Sequence, residues 1–378
     1  MRIRGAVLDR IGDPFPFEES RPLRVVELEL DDPGPTEVLV EIEAAGVCHS
    51  DLSVVDGNRS RPVPMLLGHE AAGLVRAVGA EVTDLPLGTR VVMTFLPRCG
   101  ACAGCLTDGM APCQPGSVAN GAGVLLAGGS RLHDGGTEIA HHLGVSGFAT
   151  HAVVDRRSLV VVDADVPADV AAVLGCAVLT GGGAVINVAK PRPGSSIAVV
   201  GLGGVGLAAA ITALAHDDVR VIGIDMLEHK LAAARELGVH ETYTPQEAAE
   251  QGVKADAVIE AVGRGVVFAS ALALTAPGGR TITVGLPTPQ ETVEISPLAL
   301  VAEGRTIVGS YLGSAVPARD IPVFVDLWRA GKLPVEKLIS STIALDEINR
   351  AMDLLASGAE LRQIIRFDAG TDPAETRA

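Results

Sequence analysis

The chain has 378 residues, 48% of them hydrophobic, and a mean hydropathy of +0.35, so its composition excludes a disordered protein. At about 100 to 200 residues per domain, this length predicts two domains with cores of their own. The formal net charge is −16 and no run of Lys or Arg occurs, which argues against a nucleic-acid or membrane partner. The first residues carry no signal-peptide pattern, and we expect a cytoplasmic protein.

The N-terminal half has the pattern of β-strands joined by turns. The segments "EVLVEIEAAGVC" at 37–48 and "TRVVMTF" at 89–95 are rich in β-branched residues, and "DDPGPTE" before the first of them is a turn signal. We predict that this half is mainly β.

Four of the six cysteines lie close together in "RCGACAGCLTDGMAPC", with the spacing C-x2-C-x2-C-x7-C. In a chain without an export signal, four thiolates from one loop are typical of a closed tetrahedral Zn²⁺ site. An iron–sulfur cluster is the alternative, but its usual spacing ends with a shorter gap and a proline, whereas here Gln114 follows. We predict a zinc loop at 98–114, in which a structural zinc is bound by Cys99, Cys102, Cys105 and Cys113.

The other two cysteines, Cys48 and Cys176, have no cysteine near them in the sequence. Each by itself fits an inert buried residue better than a metal ligand. In "LLGHEAAGLV", however, His69 begins a glycine-flanked turn between two apolar segments. One histidine and two cysteines are the ligand set of a catalytic zinc that keeps its fourth position open. Sequence spacing alone does not show whether the three side chains converge.

An uncharged stretch at 197–215, "IAVVGLGGVGLAAAITALA", is long enough to cross a membrane, as is 171–189 before it. Its glycines favour another interpretation. A β-branched segment, "SIAVV", is followed by Gly201, Gly203 and Gly206 in the G-x-G-x-x-G register and then by the helix former "LAAAITALAH". This order of strand, glycine turn and helix is the dinucleotide-binding fingerprint, and we predict a Rossmann unit with 171–189 as its helical lead-in.

The segments after this fingerprint alternate between strand and helix patterns. "VRVIGID" is a strand that ends at Asp225, where a carboxylate can accept from ribose hydroxyls. The later segments are a helix "HKLAAARELG", a strand "ADAVIEAVG", a helix "VVFASALALTAPGG" and a strand "RTITVGLP". Such alternation predicts an α/β fold with a doubly wound parallel sheet.

Taken together, these motifs resemble the zinc-dependent medium-chain alcohol dehydrogenases, over nearly the whole chain from "GVCHSD" to "ELRQIIRF". The resemblance implies a GroES-like catalytic domain interrupted by an inserted Rossmann domain. The expected limits are 1–177 for the first part of the catalytic domain, 178–315 for the Rossmann domain and 316–378 for the second part. The long interval between Cys113 and Cys176 is similar to the long-loop branch, which includes animal alcohol dehydrogenases and is typically dimeric.

The resemblance assigns Cys48, His69 and Cys176 to a catalytic zinc and the four-cysteine loop to a structural zinc. Asp51 then accepts a hydrogen bond from His69 and Glu70 lies behind the metal. The other catalytic and cofactor residues that it implies are Ser50 for the alcohol proton, Thr180 against the nicotinamide, Val284 and Leu286 at its carboxamide, Gly204 and Val205 beside the pyrophosphate with His49 and Arg362, Lys230 at the ribose and Arg264 at the adenine.

The expected function is therefore the interconversion of an alcohol with an aldehyde or ketone by hydride transfer to or from NAD(H), in a homo-oligomer. A thiol-dependent formaldehyde dehydrogenase is the alternative, although no arginine follows Cys113 closely. A non-catalytic NAD(H)-binding zinc protein is a third interpretation. Ser53 stands where the family often has the histidine that ends the proton relay, so the relay could end at His49, at Ser53 with water, or in solvent.

Overall fold

The computed structural model describes residues 1–367, and its contacts divide the chain into two compact units. The first unit comprises Met1–Pro97, Pro115–Val173 and the described chain from Ser340 onwards; the second comprises Arg98–Gln114 and Leu174–Ile339. The boundary after Val173 lies a few residues before the predicted boundary at 177/178. The boundary after Ile339 lies beyond the predicted one at 315/316, so the helix Pro317–Arg329 belongs to the second unit, as does the zinc loop. Residues 368–378 of the expected second catalytic part lie outside the described residues.

The first unit is mainly β, as predicted. Its closed barrel has the strand order β1-β2-β7-β8-β4, with β1 Arg2–Leu8, β2 Leu23–Leu30, β4 Met65–Leu66, β7 Leu132–Asp134 and β8 Thr137–His141. A second sheet has the order β10-β6-β5-β3-β18-β17, and β9 also pairs with β3. Its strands are β3 Glu37–Val47, β5 Ala71–Val78, β6 Arg90–Met93, β9 His151–Asp155, β10 Leu159–Val161, β17 Ser341–Ile343 and β18 Gln363–Arg366.

Short helices flank these sheets. They are α1 Phe17–Ser20, α2 His49–Val55, α3 Gln114–Ala122, α4 Ala168–Val173 and α12 Ile348–Ala356. The most important for the site is α2, because it begins directly after β3 and carries the segment that follows Cys48.

The second unit contains a six-stranded parallel sheet with the order β13-β12-β11-β14-β15-β16. In chain order this is 3-2-1-4-5-6, the arrangement of a dinucleotide-binding sheet, so the predicted α/β architecture is confirmed. The strands are β11 Ser196–Val200, β12 Arg220–Ile224, β13 Glu241–Tyr243, β14 Ala255–Glu260, β15 Thr275–Thr283 and β16 Thr306–Gly309.

The helices of this unit are α5 Leu179–Gly183, α6 Gly204–Leu214, α7 Glu228–Glu236, α8 Pro245–Glu250, α9 Gly265–Leu274, α10 Pro297–Glu303 and α11 Pro317–Arg329. One prediction at this level is wrong. The sequence extended the helix at 266–279 through "TAPGG", but the structure ends α9 at Leu274 and begins β15 at Thr275. Proline and two glycines are poor helix residues, and the chain turns into the next strand there.

A continuous helix runs over Ala168–Ala189 and contains α4 and α5. Two wider π-helical stretches, Leu174–Val178 and Ala184–Ala189, lie within it. Its mean hydropathy of 1.8 would suit a membrane span, but 89% of the apolar window is buried inside the protein. This segment is therefore a core helix, in agreement with its predicted place before the Rossmann unit.

Candidate active site

The zinc loop brings its four cysteines together as the spacing predicted. Cys99 Sγ lies 3.9 Å from Cys105 Sγ, and Cys102 Sγ lies 4.0 Å from Cys113 Sγ. Four sulfurs at about 2.3 Å from a tetrahedral zinc lie about 3.8 Å apart, so the observed distances fit that ion. Backbone N–H groups of Cys99 and Cys105 donate to neighbouring sulfurs, which favours the thiolate form that binds metal.

Of the other two cysteines, Cys48 lies close to His69 in the first unit, and Cys176 belongs to the second unit. Cys48 ends the β3 segment and precedes α2, and His69 precedes β5. Cys176 lies in the first π-helical stretch of the long helix, directly after α4, which packs on β3 and β5. Within the first unit, Cys48 Sγ and a ring nitrogen of His69 lie within 4.8 Å of each other, and both side chains are buried, as is that of Cys176. A thiol beside an imidazole at this distance fits two ligands of a zinc ion.

A buried carboxylate orients the histidine of this group. Asp51 Oδ1 accepts from His69 Nδ1 at 2.9 Å and from the backbone N–H of Gly68 at 3.2 Å, while Oδ2 accepts from the N–H of Cys48 at 3.2 Å. Burial raises the pKa of Asp51, but the adjacent His69 and His142 outweigh it and hold the pKa below its ordinary value. A carboxylate at Nδ1 fixes the tautomer and leaves Nε2 of His69 as the nitrogen that can bind a metal.

A second buried carboxyl group follows immediately. Glu70 Oε2 lies 3.4 Å from Arg362 Nη1, and the same guanidinium donates to the carbonyl of Val47 at 3.3 Å. Burial raises the pKa of Glu70 to about 7, and the positive charge of Arg362 acts in the opposite direction. Arg362 is only 3% exposed. Its predicted role at a pyrophosphate remains a prediction, and what the structure places against it is Glu70.

The predicted proton-transfer residues lie in the first turns of α2. His49 is exposed, and Ser50 is half-buried. Ser53 Oγ donates to the carbonyl of His49 at 2.8 Å, one turn earlier in the same helix. The Ser53 hydroxyl is therefore engaged with its own helix.

The glycine fingerprint has the geometry that dinucleotide binding requires. Gly201 has φ +92°, which permits the tight turn after β11. A Cβ on Gly206 would lie 1.8 Å from the carbonyl oxygen of Gly201, so the close packing of α6 on the strand needs glycine there. A Cβ on Gly203 would meet nothing within 4 Å, and this open space is where a pyrophosphate can approach the backbone. Gly204 and Val205 begin α6, whose N-terminal end favours anions.

Asp225 lies at the carboxyl end of β12, as predicted. Its Oδ2 accepts from the N–H of Leu202 at 2.8 Å and its Oδ1 from the N–H of Leu227 at 3.0 Å, so the carboxylate also orders the glycine loop. Each oxygen retains a second lone pair for a ribose hydroxyl. Of the two predicted basic residues, Lys230 is half-buried, and exposed Arg264 has its Nε 3.6 Å from Glu291 Oε1.

The residues predicted to surround the nicotinamide lie in other segments of the same unit. Thr180, in α5, is 8% exposed, and Val284, after β15, is 9% exposed. Leu286 is half-exposed, and its backbone lies against Gly263. These positions leave the three assigned roles as predictions.

Two further residues were not predicted from the sequence. His142 is buried, with Nδ1 3.1 Å from Asp51 Oδ1 and its ring edge-on to His69, at a centroid distance of 5.6 Å. Glu260, at the end of β14, accepts from the N–H groups of Val262 and Gly263 at 2.8 and 2.6 Å. A carboxylate at the carboxyl end of a parallel strand, like Asp225, was the available signal for Glu260, whereas the pair of histidines at 141–142 gives no spacing that predicts its partner.

Two family models match this chain: the alcohol dehydrogenase GroES-like domain over residues 34–164 and the zinc-binding dehydrogenase domain over residues 204–329. An alcohol dehydrogenase zinc-binding domain protein from Burkholderia ambifaria is 31% identical, with a TM-score of 0.90, over 98% of this chain and 100% of that one. Benzyl alcohol dehydrogenase from Acinetobacter calcoaceticus is 30% identical, with a TM-score of 0.88, over 97% and 100%. Acetophenone reductase from Geotrichum candidum, in complex with NAD, is 25% identical, with a TM-score of 0.77, over 97% of both chains. The chain belongs to the zinc-dependent medium-chain alcohol dehydrogenase family and is an oxidoreductase of the zinc-binding alcohol dehydrogenase type.

Proposed function

We propose that this protein is an NAD(H)-dependent zinc enzyme that interconverts an alcohol with an aldehyde or ketone. The observation that carries the proposal is the buried pair of Cys48 and His69, with Asp51 hydrogen-bonded to the histidine. Cys176 completes the proposed ligand set. A protein that only binds a dinucleotide has no use for a three-ligand site with an open position, which argues against a non-catalytic role.

The chemistry divides between the metal and the side chains around it. A zinc ion held by these three ligands would supply a Lewis acid that lowers the pKa of a bound alcohol. Asp51 holds the His69 ring in one tautomer, and Ser50 receives the alcohol proton. Thr180 restricts the nicotinamide ring, and the glycine loop with Asp225 holds the dinucleotide. A second zinc in the four-cysteine loop has a structural role, because all four of its positions are taken by sulfur.

A simple alcohol is a better substrate proposal than a thiol adduct of formaldehyde. No arginine or lysine occurs in α3, directly after Cys113, so this helix offers no cation for the carboxylate of a thiol cofactor. Two similar proteins are named as a benzyl alcohol dehydrogenase and an acetophenone reductase. Both named compounds carry an aromatic ring next to the reacting carbon. Benzyl alcohol and 1-phenylethanol therefore belong in the first set of substrates tested, beside ethanol.

The cofactor proposal is NAD rather than NADP. Asp225 is followed by Met226 and Leu227, so a 2′-phosphate would meet a carboxylate with no adjacent arginine. Lys230 is the first cation after Asp225 in the sequence and could weaken this preference. Membership of the long-loop branch, a cytoplasmic location and a dimeric state are further proposals, supported by the length of the interval between Cys113 and Cys176 and by the composition.

Zinc content gives the most direct test of the site. We expect two zinc ions per chain in the purified protein. Cys48→Ser should remove one of them and abolish turnover without lowering the thermal unfolding temperature. Cys105→Ser should remove the other and lower the unfolding temperature. A fully active protein with one zinc per chain would contradict the assignment.

Substrate and cofactor are tested in one panel. Alcohols and aldehydes are assayed with NAD(H) and NADP(H), each with and without glutathione. Turnover of alcohols with NAD and no thiol supports the proposal, and turnover of formaldehyde only with a thiol supports the alternative. Comparable kcat/KM values for NADP and NAD would show that the interpretation of Asp225 is wrong.

A further inference from the structure

Three consecutive glycines, Gly181–Gly183 in α5, each face a different neighbour within the second unit. A Cβ on the first would lie 2.1 Å from the carbonyl oxygen of Val205, at the start of α6. A Cβ on the second would lie 2.6 Å from the ring of Phe324, and one on the third 2.7 Å from the carbonyl oxygen of Gly313. The helix turn that follows Thr180 therefore packs closely, with no side chains of its own, against both α6 and the segment around Gly313.

The segment that contacts α5 is a strained turn. Leu312, Gly313 and Ser314 all have positive φ, at 51°, 67° and 52°. For the two that are not glycine, this conformation is unfavourable and persists only where the surroundings fix it. Here they do, because a Cβ on Gly313 would lie 2.1 Å from the carbonyl oxygen of Leu179 and 2.6 Å from that of Thr180. We refer to Leu312–Ser314 as the left-handed turn.

The other side of the left-handed turn touches the zinc loop. Gly109, between the third and fourth cysteines, has φ +94°, and a Cβ there would lie 2.2 Å from the carbonyl oxygen of Ser314. Next to it, Asp108 Oδ1 accepts from Arg319 Nη1 at 2.6 Å, and Arg319 Nη2 donates to Asn187 Oδ1 at 3.0 Å. Asn187 lies in the long helix, one turn beyond the three glycines. The zinc loop is thus connected by two routes to the helix that carries Thr180.

We propose that the left-handed turn is a positioning element that couples the zinc loop to the dinucleotide site, so that zinc in the loop strengthens NADH binding through Thr180. This inference rests on the proposed function, because it takes Thr180 to contact the nicotinamide. The turn has close backbone contacts on both faces, so a change in the zinc loop moves α5 rather than being absorbed by side chains. Coupling of this kind is reciprocal for binding free energies, so NADH also strengthens the binding of zinc by the loop.

The test uses Gly109→Ala in the full-length protein. The added methyl group cannot be accommodated against Ser314, and we expect the dissociation constant of NADH, measured by fluorescence, to rise about fivefold or more with zinc content unchanged. Gly252→Ala is the matched control, because Gly252 lies in the same unit with φ +63° and has nothing within 4 Å of its position for a Cβ. It should bind NADH as the wild type does.

A second measurement keeps the test informative if Gly109→Ala does not fold. In the wild type, release of zinc to a chromophoric chelator is followed with and without NADH, and in Asp108→Asn it is followed in the same way. We expect NADH to lower the amount of zinc released at equilibrium from the four-cysteine site in the wild type and to lower it less in the variant. Equal NADH affinity of Gly109→Ala and wild type, or zinc release that NADH does not change, would overturn the coupling. A wild type that binds no NADH would instead contradict the proposed function.

Discussion

Ser53 is the position at which this chain departs from the expected proton relay. Its hydroxyl donates a hydrogen bond to the carbonyl of His49 and is not a base near neutral pH. A histidine side chain has an ordinary pKa of about 6.5. Histidine at this position is neutral above that pH and can accept a proton that leaves Ser50. We therefore expect Ser53→His to raise the rate of alcohol oxidation near neutral pH, by on the order of 10²-fold where proton transfer limits the rate. Well above neutral pH we expect little effect.

Single-turnover hydride transfer measured across this pH range is the appropriate assay, since cofactor release limits steady-state turnover in many dehydrogenases. Ser53→Ala is the control, because it removes a hydroxyl that is hydrogen-bonded within its own helix, and it should keep the wild-type profile. Identical profiles for Ser53→His and wild type would mean that the proton leaves by another route, with His49 as the next candidate.

Some site residues could be predicted from a single sequence motif, whereas others could not. The four-cysteine spacing was sufficient to predict that these side chains lie together, because all four belong to a single loop. Cys48, His69 and Cys176 lie far apart in the chain, and only the resemblance to a family linked them; the structure shows Cys48 beside His69. His142 was missed because its relation to Asp51 depends on a tertiary contact.

Within the strand–turn–helix element that is proposed to bind the dinucleotide, two glycines lead to separate predictions. A Cβ on Gly206 would collide with the backbone of Gly201, whereas one on Gly203 would enter open space. We expect Gly206→Ala to lower the unfolding temperature, and Gly203→Ala to leave it unchanged but to weaken NADH binding, since its methyl group lies where the pyrophosphate must approach. Thermal unfolding and fluorescence titration of both variants check this. Wild-type NADH affinity in Gly203→Ala would place the pyrophosphate elsewhere.

At the scale of elements, the parallel sheet was more predictable than its connections. The strands β11, β12 and β14 are short, apolar and buried on both faces, and this pattern was sufficient to predict them as strands of a parallel sheet. The short β13 and α8 had no continuous apolar pattern and were not predicted. The end of α9 was misplaced because "LALTAPGG" continues the apolar helix pattern up to the residues that begin β15.

For the whole molecule, the expected dimer has a candidate surface in the second unit. Strand β16 is the last in the order of its sheet, so among the described residues no strand pairs with its outer edge. Helix α10, directly before β16, exposes Leu298 and Val301 at 77% and 82%, three residues apart and hence on one face. An unpaired edge beside exposed apolar side chains is typical of a surface that associates with another chain.

We expect light scattering after size-exclusion chromatography to give a mass about twice the 38.7 kDa of one chain. The double variant Leu298→Glu and Val301→Glu should shift this mass to that of a monomer, because buried carboxylates without partners, two from each chain, would cost several kcal/mol per interface. Leu87→Glu is the control, since Leu87 is 65% exposed in the first unit and should leave the dimer intact. A double variant that remains dimeric would show that the two chains meet through another surface, and a wild type with the mass of one chain would contradict the dimer itself.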